Sequence, residues 1–307
     1  YDALATPAEA NNATWHAIKM QDETNQKFLP WGEQTTVTAA ECLGANNSAT
    51  AVGGGDSLTS GQDRSQLNPG EIVLTVVSEK VKQGLATARS YGTTWTGLWM
   101  ACLSCSIAER YFKSASSDDR DTKSSCCVGI STLVDLRRCL PAKQLTEGML
   151  QMQSTVTVAT TWDREACAKL SVSDSGDANR DLLLTRAKFM TDQLKARINR
   201  GEAHRQAKAF STGDLANEAA PIEATIELSN HGIYASPRSV EVAQRFDGYE
   251  GLSIIIHSES GTGDMKITAS FGQNVDSRMC GDFLHRTVEF LEVVVATASA
   301  PPNSRTD

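Results

Sequence analysis

The chain has 307 residues, 40% of them hydrophobic and 21% charged, with a formal net charge of −8. That is the composition of a globular chain long enough to bury a sizeable core, as one large domain or two ordinary ones. The negative balance argues against nucleic acid as the main partner, and no apolar run reaches the roughly 18–20 residues of a membrane-spanning helix.

Residues 1–70 are weakly patterned. An Ala/Asn/Thr-rich opening leads through Trp15 and His16 to Phe28-Leu-Pro-Trp-Gly-Glu33, and then to a Gly/Ser/Thr/Asn-rich stretch over 45–70. That stretch has no hydrophobic face and reads as an exposed loop. Gly53-Gly-Gly55 inside it is followed by no Lys-Ser/Thr, so it is not a phosphate loop. The chain starts at Tyr1 with neither a methionine nor a basic-then-apolar leader, which leads us to expect a fragment or a chain that has lost residues. The domain plan is a weakly ordered remnant, crossover and linker over 1–70, one lobe over 71–300, and a frayed tail over 301–307.

Pattern begins at residue 71. Residues 72–77 are β-branched and apolar and predict a strand. Ser78 is placed to cap a helix through Val81, Leu85 and Ala88 that stops at Gly92. Thr93 or Thr94 then caps a second helix, 95–112, apolar on most of its circumference and therefore buried. A polar loop leads to Cys126–Pro141, an apolar run that ends in Asp135-Leu-Arg137-Arg138 and a proline. This run reads as the middle strand of a sheet, with a charged edge. Residues 149–161 predict another strand, 163–170 a short helix, and 178–209 a long helix with Leu183, Ala187, Met190, Leu194 and Ile198 at helical spacing. Basic residues over 188–208 read as its solvated face. Strands follow at 221–234 and 240–246. A hairpin of 252–256 and 265–271 turns through Ser260-Gly-Thr-Gly-Asp264. A terminal helix, 277–297, buries Phe283, Val288, Leu291 and Val295. Helices alternating with strands and closing on a hairpin give an α/β sandwich with a mixed sheet.

Eight cysteines sit mostly in apolar contexts. Cys102-Leu-Ser-Cys105 lacks the second pair or the histidines that a zinc site needs, so buried reduced thiols, no metal and a cytoplasmic setting are expected. The five histidines are His16, His204, His231, His257 and His285. His285 and Glu289 have the i,i+4 spacing of a helical pair.

Four stretches together resemble the condensation-domain-like acyltransferase superfamily, which includes chloramphenicol acetyltransferase, alcohol O-acetyltransferases, the plant BAHD enzymes and fungal trichothecene O-acetyltransferases. Gly92-Thr-Thr-Trp-Thr96 is similar to that family's helix start. Leu133-Val-Asp-Leu-Arg137 with Leu140-Pro141 is similar to its V-D-x-R strand end, and Leu228-Ser-Asn-His-Gly232 to its S-N-x-G loop. The hairpin and terminal helix after Tyr249 resemble its closing elements, and Phe28–Glu33 resembles its Trp-Gly-Glu crossover.

The resemblance implies a second lobe that passes an acyl group from acyl-CoA, as co-substrate, directly to a small hydroxylated acceptor of secondary metabolism. No bound cofactor is implied. The family's base is the histidine of H-x-x-x-D-G, and no histidine here has an aspartate four residues on. The chain therefore looks like the C-terminal part, with the N-terminal lobe as missing partner. Arg137 would pair with the absent motif's aspartate, and Asp135 would order the strand end. Ser229, Asn230 and Gly232, with Thr94 and Thr96, would shape the substrate site, and His231 is the one histidine placed to substitute as base. A non-catalytic binding domain, or a template for cyclisation, is the alternative on the same fold.

Overall fold

In the computed structural model, which describes residues 36–44, 70–114, 124–135, 153–170, 176–203, 206, 224–234, 251–272 and 274–296, order starts earlier than residue 71. Thr38 and Glu41 close a reciprocal capping box: the Thr38 hydroxyl accepts from the Glu41 N–H at 3.2 Å, and the Glu41 carboxylate accepts from the Thr38 N–H at 2.6 Å. This starts α1 (Ala39–Leu43), whose Cys42 and Leu43 are fully buried. Just before it, Thr36 bridges to Cys127 and the Val37 N–H donates to the Cys127 carbonyl at 2.9 Å. The assignment of all of 1–70 to a weakly ordered linker is thus corrected for 36–44. The signal was Thr-x-x-Glu, too short to stand out from a polar background.

The elements that follow are β1 (Gly70–Val76), α2 (Ser78–Ser90), α3 (Trp95–Ser114), β2 (Ser125–Asp135), β3 (Gln153–Asp163), α4 (Arg164–Leu170), α5 (Gly176–Asn199), β4 (Ile226–Tyr234), β5 (Leu252–Glu259), β6 (Met265–Phe271) and α6 (Ser277–Ala296). The six strands form one mixed sheet in the order β1-β6-β5-β4-β2-β3. The β2–β4 and β4–β5 pairs are parallel, and the others are antiparallel. The α/β class with a mixed sheet is as expected. The place of β2 is not: it is second from an edge, because β3 returns beside it, and β4 and β5 hold the middle.

Helices cover one face of the sheet. Val128 and Ile130, Ile226 and Leu228, Ile254 and Ile256, and Ile267 and Ala269 point into a core shared with α3 and α6. Alternate residues of the same strands face the other way. Helix α3 is buried along nearly its whole length, as its all-round apolar sequence predicts. It is tied to α6 by the buried Glu109 carboxylate, which accepts from Arg286 Nε at 2.8 Å. Arg286 also holds Glu289 at 2.7 Å, so the expected His285–Glu289 pair gives way to one made by the adjacent Arg286, three residues before Glu289.

Two helix ends differ from the sequence reading. Ser78 does not cap α2 with its hydroxyl; its N–H is instead taken by the Asp264 carboxylate from the β5–β6 turn, at 2.8 Å. Helix α5 stops at Asn199, because Gly201 adopts φ 74° and its N–H closes on the Ile198 carbonyl. The expected strand at 240–246, Cys139 and Pro141 lie outside the described residues. The seven described cysteines are buried thiols. Burial pushes Cys102 and Cys280 up to about 12, out of reach of thiolate chemistry at neutral pH.

Candidate functional site

Strands β2 and β4 pair only over Ile130–Thr132 and Ile226–Leu228. Beyond those residues the ladder between them ends, leaving Leu133–Asp135 of β2 and Ser229–Tyr234 of β4 without pairing to each other. The carboxyl ends of parallel strands are where open α/β sheets bind ligands, and Asp135, Ser229, Asn230 and Gly232 lie at these two strand ends.

Strand β4 is shaped by a bulge. Asn230 pairs with Ile256 and Gly232 with His257, which leaves His231 as the extra residue. Gly232 takes φ 68°, a left-handed conformation that other residues adopt only with strain. Its N–H donates to Asn230 Oδ1 at 3.0 Å, and Asn230 Nδ2 donates to Thr96 Oγ1 at 3.0 Å. Asn230 thus fastens the bulge to the first turn of α3.

Thr94 is the N-cap of α3. Its Oγ1 accepts from the Gly97 N–H at 3.0 Å and lies 3.1 Å from Thr191 Oγ1, so this hydroxyl is committed to structure rather than to a ligand. Thr93 meets the same Thr191 hydroxyl at 2.8 Å. Asp135 ends β2, half-buried, on the sheet face away from the helices. Arg137 lies outside the described residues.

On that same face Glu227 and Ser229 alternate with the core residues Ile226 and Leu228, and His231 folds back toward Ser229. Ser229 Oγ and His231 Nε2 are 2.8 Å apart. Ser229 is 5% exposed, whereas His231 is open to solvent. Burial pushes the His231 pKa down, and the neighbouring His257 ring adds to the effect. Both effects favour the neutral imidazole. In its Nδ1–H tautomer, Nε2 accepts the serine proton.

The sequence reading missed two residues of this face. His257, 1% exposed on β5, sits at the bulge opposite Gly232. Glu227 lies two residues before Ser229, and burial pushes its carboxyl up. The period-2 series Glu227-x-Ser229-x-His231 was the available signal. Among the described residues no three His, Cys, Asp or Glu side chains are grouped to hold a metal.

A carboxyl raised by burial favours the fold below its unfolded pKa and loses that contribution as pH rises through the folded value. Glu227→Gln is thus expected to raise the melting temperature at pH 7. The gain should fade toward about pH 4, where the native side chain is itself neutral. Thermal melts across that range check this, and equal melting temperatures at pH 7 would show that the carboxylate carries no burial cost.

No protein-family model and no curated protein matches the chain. Its fold is similar to that of the TRI3 trichothecene 15-O-acetyltransferase from Fusarium sporotrichioides. The TM-score is 0.58 at 14% identity, over 75% of this chain and 47% of that one. It is also similar to the epimerization domain from the third module of tyrocidine synthetase B, with a TM-score of 0.51 at 12% identity, over 95% of this chain and 57% of that one. The chain has the fold of a condensation-domain-like acyltransferase lobe. It spans about half the length of those two structures. Within this fold Asn230, at the carboxyl-terminal half of β4, is the residue bonded to the first turn of α3, through Thr96. No helix among the described residues is long and apolar enough to cross a membrane.

Proposed function

We propose that this lobe works as one half of an acyl-CoA-dependent O-acyltransferase, passing an acyl group from the thioester to the hydroxyl of a small secondary metabolite. What supports the reading is the unpaired carboxyl ends of β2 and β4, where the Asn230–Thr96 hydrogen bond fastens β4 to α3, on a fold shared with a trichothecene O-acetyltransferase. In this reading a second lobe supplies an H-x-x-x-D histidine as general base, because a neutral imidazole suits deprotonation of an acceptor hydroxyl near pH 7. Arg137 would hold that motif's aspartate across the lobe interface through paired hydrogen bonds. Asp135 would order the strand end that presents it. Ser229, Asn230 and Gly232 would shape the floor of the substrate site, with Thr96 behind them.

The test is thiol release from acetyl-CoA in the presence of a hydroxylated terpenoid, measured for the chain alone and for the chain joined to an H-x-x-x-D lobe. Acceptor-dependent release is expected only from the joined protein. Arg137→Ala in it should lower kcat by about 100-fold, the scale of a misplaced catalytic group. A joined protein that binds acyl-CoA yet releases no thiol would favour the non-catalytic binding domain instead.

A further inference from the structure

We propose that Ser229 and His231 form a nucleophile–base pair through which this chain by itself accepts an acyl group from an activated ester or thioester. Ser229 Oγ lies 2.8 Å from His231 Nε2, the separation at which a histidine takes a serine proton. Serine is a weak nucleophile at its own pKa, so this contact is what separates a reactive hydroxyl from an ordinary strand residue.

The surroundings hold the pair in place. The bulge that makes His231 the extra residue turns its ring back over Ser229. The backbone on both sides of the ring is pinned, since Asn230 is bonded to Thr96 and to the Gly232 N–H. Ser229 is buried, while His231 opens to solvent, which gives the proton a way out and the hydrolytic water a way in. The charged and titratable residues on this face include Glu227 on the same strand, His257 on β5, Lys266 in register beside His257 and 3.0 Å from Glu259, and Asp135 at the end of β2.

The chemistry closes with water as the only co-reactant. Ser229 Oγ bonds to the acyl carbonyl carbon, its proton passes to His231 Nε2, and the carbon–sulfur or carbon–oxygen bond breaks. The leaving thiolate or alkoxide takes the proton from Nε2. Water then attacks the acyl carbon and gives its proton to Nε2. Oγ leaves the carbon and recovers that proton. The products are a carboxylic acid and a thiol or alcohol.

This activity needs neither a second lobe nor an external base, so it stands apart from direct transfer to an acceptor. The full 307-residue chain is incubated with p-nitrophenyl acetate and, separately, with a fluorophosphonate, and the adduct is located by peptide mass spectrometry. The expected result is an adduct on Ser229, with a burst of p-nitrophenol. Ser229→Ala should abolish the adduct, and His231→Gln should slow acylation by about 100-fold at an unchanged melting temperature. No adduct, or one only at other residues, overturns the proposal. So does a Ser229 adduct that forms at the same rate in His231→Gln. The native-chain map decides even if Ser229→Ala fails to fold. Acyl transfer by a joined two-lobe protein with Ser229 unlabelled would sink this inference and leave the transferase reading intact.

Discussion

Arg197→Ala is expected to destabilise the lobe by about 3–5 kcal/mol, the scale of a buried ion pair broken on one side. Arg197 Nη1 lies 2.8 Å from Glu202 Oε2, with the two side chains 4% and 9% exposed. Burial pushes the guanidinium pKa down in spite of the pull from Glu202, and Arg200 adds to that push. Desolvation therefore outweighs attraction, and the pair is a poor source of net stability. Removing only the cation leaves a carboxylate in the same dry place without its ion-pair partner, which costs more than the pair ever contributed. The double variant Arg197→Met/Glu202→Leu should return to within about 1 kcal/mol of the native chain, or exceed it, because apolar groups of similar volume need no partner. Urea denaturation midpoints of the three proteins decide the matter. A single-variant loss below about 1 kcal/mol would mean that water reaches the pair. The site feels the change as well, because the turn at Gly201 seats Ala203 against Val156 beside Val134, one residue before Asp135.

How much of this was legible beforehand depends on the range of the interactions involved. The hairpin of β5 and β6, the buried α3 and the terminal α6 announce themselves by local periodicity, and they are where the sequence places them. Thr94 as a helix cap is equally local, since its hydroxyl reaches only to Gly97 within the chain segment. Strand order is a long-range matter. The apolar run of β2 marked an interior strand, but nothing in it says that β3 would return on its outer side and leave β4 and β5 at the centre. The Asp264 cap on Ser78 spans most of the chain and has no signature in either segment. His257 was hidden for a similar reason. In the run Leu252-Ser-Ile-Ile-Ile-His257 it reads as one polar residue closing a strand, and only the β4 bulge makes it the neighbour of His231. The Ser229–His231 contact needed that same bulge, and the sequence signals it only through Asn230-His-Gly232.

The second large effect is expected at Gly97, where the helix layer and the site meet. A Cβ there would lie 2.0 Å from Thr191 Oγ1, 2.8 Å from the Ala187 backbone oxygen and 3.0 Å from Thr93 Oγ1. The Thr191 hydroxyl does not swing aside, because it is fixed by Thr93 and Thr94, and the Ala187 oxygen belongs to the packed helix α5. Alanine gains about 1 kcal/mol over glycine as a helix former. Overpacking of this kind costs about 1–3 kcal/mol and sometimes more, and with backbone among the obstacles the upper end applies. Gly97→Ala should thus lose about 2 kcal/mol net, read as a lowered denaturation midpoint. Thr191→Ala in the same chain removes the closest obstacle and should restore part of the loss, while the Ala187 oxygen keeps the rest. Because α3 must back away from α5 to admit the methyl group, Thr96 moves with it and its bond to Asn230 loosens. The reactivity of Ser229 toward p-nitrophenyl acetate should then fall in Gly97→Ala under conditions where the chain is still folded. Unaltered reactivity there would show that the bulge holds its shape without the helix.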